Sequence, residues 1–231
     1  MKRICVVISA RPSYSRVKSV LTALKGKVEL QIVACASALV TRYGRIVDQI
    51  RADGFKVTVE IPSVLDGGGL RESAVSTGVL LTQLASTFAA LESDIVVTVA
   101  DRHETLATAI AASYQNIPLC HLQGGEVTGS IDDKVRNAVT QLADIHCVAT
   151  EKASDNVWQR AGAPGRVHVT GCPSIDLAAE VLTLGPLPAD DVVVLQHPIT
   201  DQVEDAEAQM RTTIEAVKAT GLSATYFWPG E

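Results

Sequence analysis

The chain is 231 residues long, 47% hydrophobic and 20% charged, a composition that excludes disorder and fits a folded protein. Its net charge of -6, with no run of Lys and Arg forming a basic stripe, argues against nucleic acid as a partner. The cysteines, Cys5, Cys35, Cys120, Cys147 and Cys172, show no CxxC or metal-ligand spacing, so reduced thiols, a cytoplasmic setting and no metal are expected.

In chain order, the apolar run at 3–9 (RICVVIS) is soon followed by Arg11. It is too short for a signal core or a membrane span and reads as a strand. A helix is predicted at 14–26, a strand at 28–37, an amphipathic helix at 37–54 with a glycine stop, and a strand at 56–61. A long helix at 70–93 leads to a strand at 94–100, and a helix at 103–115 to a strand at 118–122. The pattern repeats with a helix at 131–143, a strand at 145–150, a helix at 151–162 and a strand at 166–171. Helix 173–182, strand 191–197, helix 205–221 and strand 223–228 complete it. No segment reads as a bilayer span, so no membrane partner is expected.

Strands that are apolar throughout and alternate with helices indicate an α/β protein with a parallel sheet covered on both faces. The Pro- and Gly-rich stretch 184–191 (LGPLPADD) is the one plausible linker. It divides the chain into a Rossmann-like domain at 1–184 and the opening of a second at 185–231. Two strands and a helix are too few to bury a useful core, so the second domain is expected to be incomplete.

Ligands of open parallel sheets bind beyond the carboxyl ends of the strands. The residues there are Arg11 and Ser15; Asp101, Arg102 and His103; His121 and Gln123 to Glu126; Gly171 and Cys172; and His197. Cations and glycine turns suit a phosphate, and carboxylates suit acid-base work or a cationic transition state. Plainer readings stand beside these. A cation near a helix start, as at Arg11, is unfavourable, which favours an anion contact there. Asp101 fits a helix cap as well as a catalytic carboxylate. Asp132 and Asp133 lie in the first turn of a helix, where carboxylates are favoured anyway, and Arg136 fits an intrahelical partner. Gly124 and Gly125 are turn formers. His121 fits a satisfied strand-end histidine, and His146 and His168 read as structural. The segment 66–70 (DGGGL) lacks the G-x-G-x-x-G order and the lysine of a P-loop; it reads as a loop that could close over a ligand.

The blocks ARPSYSRVKSV, TVADRHETLATAIAA, HLQGGEVTGSIDDKVRNAVTQLADIHCVAT, VHVTGCPSIDLA and VLQHPIT occur in this order. Together they resemble the UDP-N-acetylglucosamine 2-epimerase family, and in appearance its hydrolysing, sialic-acid-pathway branch. The resemblance runs from the first strand to the last residue. It implies two Rossmann-like domains in the glycosyltransferase-B arrangement, with a nucleotide-sugar in the cleft. The implied reaction cleaves the sugar C1 to phosphate oxygen bond with loss of the C2 proton, forms a glycal, releases UDP and adds water to give N-acetylmannosamine. No metal or cofactor is implied, and a homo-oligomer, dimer or tetramer, is. Carried over by motif, Asp101, Asp132, Asp133 and His197 are catalytic, and Arg11, Ser15, His121, Gln123, Glu126 and Arg136 contact the substrate.

Two departures matter. Gln123 stands where some relatives carry a carboxylate, and an amide cannot act as a base. The base therefore stays open between Asp101 and the Asp132/Asp133 pair, and a diacetamido or GDP-linked sugar stays open as the substrate. The family's Gly-Asn-Ser-Ser segment and the glutamate after it are not in this sequence. A non-hydrolysing epimerase, a glycosyltransferase and a nucleotide-sugar binding module are the alternatives.

Overall fold

A computed structural model describes residues 1–65, 69–162, 166–182, 191–198 and 203–227. It divides into two compact units, Met1–Ala179 and Glu180–Glu231. In the first, β1 (Arg3–Ile8), β2 (Glu29–Cys35), β3 (Val59–Ile61), β4 (Ile95–Val99), β5 (Leu119–Leu122), β6 (Ile145–Val148) and β7 (Arg166–Val169) form one parallel sheet. The strand order is β3-β2-β1-β4-β5-β6-β7. The winding reverses between β1 and β4, the switch point at which such sheets bind ligands.

The connecting helices are α1 (Arg11–Ser15), α2 (Lys18–Leu24), α3 (Ile46–Ala52), α4 (Leu70–Leu91), α5 (His103–Tyr114), α6 (Asp132–Leu142), α7 (Glu151–Ala161) and α8 (Pro173–Leu182). Strand side chains alternate between faces. Cys5 and Val7 of β1 join a core with Leu80, Leu84 and Phe88 of α4, while Val6 and Ile8 join another with Tyr14, Val17 and Leu21. Both faces of the strand are thus dry, which is why it reads as one apolar run rather than an alternating one. The second face is less fully covered. Over β4 to β6, Ile95, Val97, Cys120, Leu122, Ile145 and Cys147 help line a cavity of about 410 Å³.

Three expectations need correction. The helix expected at 14–26 is two, α1 and α2, because Val17 between them sits at φ -121°, outside helical geometry. The helix expected at 37–54 reduces to two short 3₁₀ turns and α3, because Gly44 (φ 82°) and Arg45 (φ 39°) are left-handed and break it. Third, α4 is long and apolar enough to cross a membrane, although no segment was expected to be. Its stripe of Ser76, Leu80, Leu84 and Phe88, at four-residue spacing, is buried in this unit, while most of its apolar window is not.

The second unit contains β8 (Asp191–Val194), α9 (Ala206–Ala219) and β9 (Ser223–Tyr226), with the two strands parallel. The expected linker at 184–191, apart from Asp191, and residues 66–68 of the glycine-rich loop lie outside the described residues.

Candidate active site

The carboxyl edge of the sheet is built under backbone constraint. Ala100 (φ 63°) follows β4 and Gln123 (φ 60°) follows β5, both left-handed without being glycine. Such residues cost free energy, and they concentrate where a chain must turn sharply at a functional edge. Here they turn the chain toward Asp101 and toward the double glycine before α6.

Arg136 ties the site together. Its side chain is 1% exposed. One terminal nitrogen, Nη2, donates to Asp101 Oδ2 and, at 3.4 Å, to the Thr128 hydroxyl. The other, Nη1, donates to Asp133 Oδ1 and, at 2.8 Å, to the Glu126 carbonyl oxygen. A guanidinium this deep must be paired, because an isolated buried charge is very costly. The ion pair joins the exit of β4 to the start of α6, 35 residues apart in the chain.

The two adjacent aspartates, expected to act together, have different environments. Asp133 accepts from the Thr128 amide (2.9 Å), the Thr128 hydroxyl (3.0 Å), the Gly129 amide (2.8 Å) and Arg136. Those bonds, the Thr128 amide first, hold its carboxyl down to about 2. Both of its oxygens are engaged, Oδ1 three times and Oδ2 by the Gly129 amide, and it serves as the staple of the loop. Among the described residues, Asp132 accepts only from the Ser130 hydroxyl, at 3.2 Å. Burial pushes its pKa above the usual carboxylate value, and the charge of Asp101 adds to the rise, against Ser130, Arg136 and Arg102. A half-buried carboxylate with raised basicity and a free oxygen is the one of the pair whose surroundings suit acid-base chemistry.

His121, expected to contact substrate, is fully buried. A carbonyl only accepts, so Nε2 carries the proton it donates to the Ala100 carbonyl at 2.8 Å, and Nδ1 accepts the Thr140 hydroxyl at 3.4 Å. Burial lowers its pKa to about 4, leaving a neutral ring that props the left-handed turn at Ala100. The Glu126 side chain is exposed, and its carbonyl is what meets Arg136. Gln123 is buried; its backbone amide donates to the Cys147 carbonyl at 2.8 Å and its side-chain amide to Cys172 Sγ at 2.9 Å. Arg11 is exposed as the first residue of α1, at the switch point, and Ser15 donates its hydroxyl to the Pro12 carbonyl at 2.9 Å. His197 belongs to the second unit, exposed three residues past β8.

Arg102 and Glu104 were missed as a pair. Arg102 donates to the buried Glu104 carboxylate through Nε (3.1 Å) and Nη2 (3.2 Å), and the electrostatic influence of Asp101 and Asp132 reaches it. His103 Nε2 lies 3.6 Å from Glu104, and burial lowers its pKa. The signal was a cation immediately before a helix start with a carboxylate two residues on. Among the described residues no three His, Cys, Asp or Glu side chains gather as a metal site.

A doubly wound parallel sheet with carboxylates and a buried guanidinium along its carboxyl edge defines a Rossmann-like domain. Within that class the chain belongs to the UDP-N-acetylglucosamine 2-epimerase family, whose sequence profile matches residues 22–229. It is 30% identical over 234 residues to the hydrolysing UDP-N,N'-diacetylbacillosamine 2-epimerase of Legionella pneumophila, across 96% of this chain and 62% of that one. It is 24% identical to UDP-N-acetylglucosamine 2-epimerase of Neisseria meningitidis, across 99% of this chain and 63% of the relative. The chain thus spans somewhat under two thirds of the curated relatives' length. Its fold matches the Methanocaldococcus jannaschii UDP-GlcNAc 2-epimerase crystallised with UDP-GlcNAc and UDP (TM-score 0.82, 16% identity, 97% of this chain and 65% of that one). The Neisseria meningitidis enzyme bound to UDP-GlcNAc matches with a TM-score of 0.80, at 18% identity, over 98% of this chain and 66% of that one.

Proposed function

We propose that the protein is a hydrolysing 2-epimerase of a UDP-linked 2-acetamido sugar, releasing UDP and the free C2 epimer in the making of a sialic-type acid. The observation that carries the reading is the contrast between the three carboxylates around Arg136. Asp133 is engaged at both oxygens by its loop and Arg136, Asp101 is bound to the buried guanidinium, and Asp132 is half-buried with raised basicity. The C2 hydrogen of such a sugar is a poor acid, so positive charge must build on the ring as the C1 to oxygen bond breaks. Asp101 stabilises that charge, and Asp132 takes the C2 proton. The bonding pair from C1 leaves with UDP, on whose diphosphate Arg11 bears. Water then adds hydroxide at C1 and a proton at C2 of the glycal on the opposite face.

The Legionella relative and the amide at Gln123 favour a diacetamido sugar as the second candidate for the same chemistry. Proton NMR in deuterated water, with UDP-N-acetylglucosamine and its diacetamido counterpart run in parallel, tests both. The expected result is free sugar deuterated at C2 with UDP released. Nucleotide release without deuterium, or an epimer still joined to UDP, rejects the hydrolysing reading.

A further inference from the structure

Behind the turn that carries Gln123, two thiols meet in the wall of the cavity on the second face of the sheet. Cys120 of β5 and Cys147 of β6 are half-buried, and their sulfurs are 4.0 Å apart. Ile95, Val97, Leu122 and Ile145 share that wall with them, and its polar side chains are Ser19, Gln123, Thr170 and Asp176.

The strand register argues against a disulfide. Leu122 pairs with Cys147 and Cys120 with Ile145, so the two cysteines are offset by two residues on neighbouring strands. With strands about 4.8 Å apart and a rise of about 3.3 Å per residue, their Cα atoms are about 8 Å apart, beyond the roughly 7 Å that a disulfide spans. The sulfurs nevertheless lean together, leaving a gap that suits one atom bonded to both. A metal-thiolate bond is about 2.3 Å, so an ion between them needs the sulfurs to part by about half an ångström at most. The apolar wall offers few oxygen ligands, and soft cations prefer thiolate. No third metal-ligating side chain gathers with them among the described residues, which limits coordination to two.

We propose that Cys120 and Cys147 form a two-thiolate site for a soft, two-coordinate cation of the class of monovalent copper or divalent mercury. On binding a divalent ion each thiol loses its proton, two metal-sulfur bonds form, and no electrons are exchanged. The ion sits one residue behind the active-site turn, because the Cys147 carbonyl accepts the Gln123 amide at 2.8 Å.

Divalent mercury is the probe. The protein is loaded, challenged with excess 2-mercaptoethanol, desalted and weighed intact. A single thiolate loses the ion to the competing thiol, whereas a chelating pair keeps it. The expected result is one retained mercury less two protons, lost in both Cys120→Ala and Cys147→Ala and kept in Cys172→Ala. Loss of the ion from the unchanged protein overturns the proposal, and so does retention in both Cys120→Ala and Cys147→Ala. If either replacement unfolds the chain, the ultraviolet charge-transfer band of a bis-thiolate complex decides on the unchanged protein. Its absence at equimolar mercury also overturns the site.

Discussion

Asp132 and Asp133 are neighbours in sequence with opposite electrostatics. Asp132→Asn is expected to cut kcat by about 100-fold or more while the melting temperature holds, since a positioned base contributes about that much. Asp133→Asn instead is expected to lower the unfolding free energy by about 1–3 kcal/mol, through the lost loop bonds. A thermal melt beside a turnover assay separates the two. Because burial raises Asp132, the acid limb of kcat/KM is expected at a higher pH than an ordinary carboxylate gives. Activity falls as Asp132 takes a proton it must lack to act as base. His121 contributes a second pH dependence, in stability. The unfolded ring protonates near 6.5 and the folded one only near 4, so the unfolded state binds more protons between them. The His121 contribution to stability should therefore fall as pH drops from about 6.5 toward 4, and urea titrations across that range check it.

The turn between β5 and α6 is the most constrained element of the site. A Cβ on Gly125, at φ 80°, would lie 2.1 Å from the Ala153 carbonyl oxygen in α7, and a backbone atom cannot step aside. One on Gly129, also at φ 80°, would meet nothing within 4 Å. Gly129→Ala should thus cost only the left-handed penalty, about 1–2 kcal/mol, whereas Gly125→Ala should cost more than about 3 kcal/mol or prevent folding. Comparable urea midpoints for the two would show that the turn does not pack against α7 as described. The α6 end of this turn could be read from the sequence, because two carboxylates open a helix that has an arginine one turn on. That the arginine also reaches Asp101 could not, because nothing local marks a contact 35 residues away.

At the scale of the molecule the two units differ in how much they bury. Buried side chains run through β1, β2, β4 and β5 of the first, whereas Val194 is the buried hydrophobic residue among those described in the second. Amide exchange of each unit reflects that difference. Val6 and Val97 are expected to be protected to near the global unfolding limit, and Val193 to exchange by a far cheaper opening. Equal protection would mean that the second unit is stabilised by more than its own two strands and helix.

The sequence by itself determined the α/β class, the strand positions and the family, because these rest on local periodicity and on contiguous motifs. It misjudged the first two helices, where left-handed or non-helical residues at Val17, Gly44 and Arg45 override the apolar period. Only the tertiary structure decided that Asp133 is a staple and Asp132 the free carboxylate, and that His121 is a buried prop. Desolvation and the saturation of hydrogen-bond acceptors depend on groups brought together from distant parts of the chain, and no window of sequence contains them.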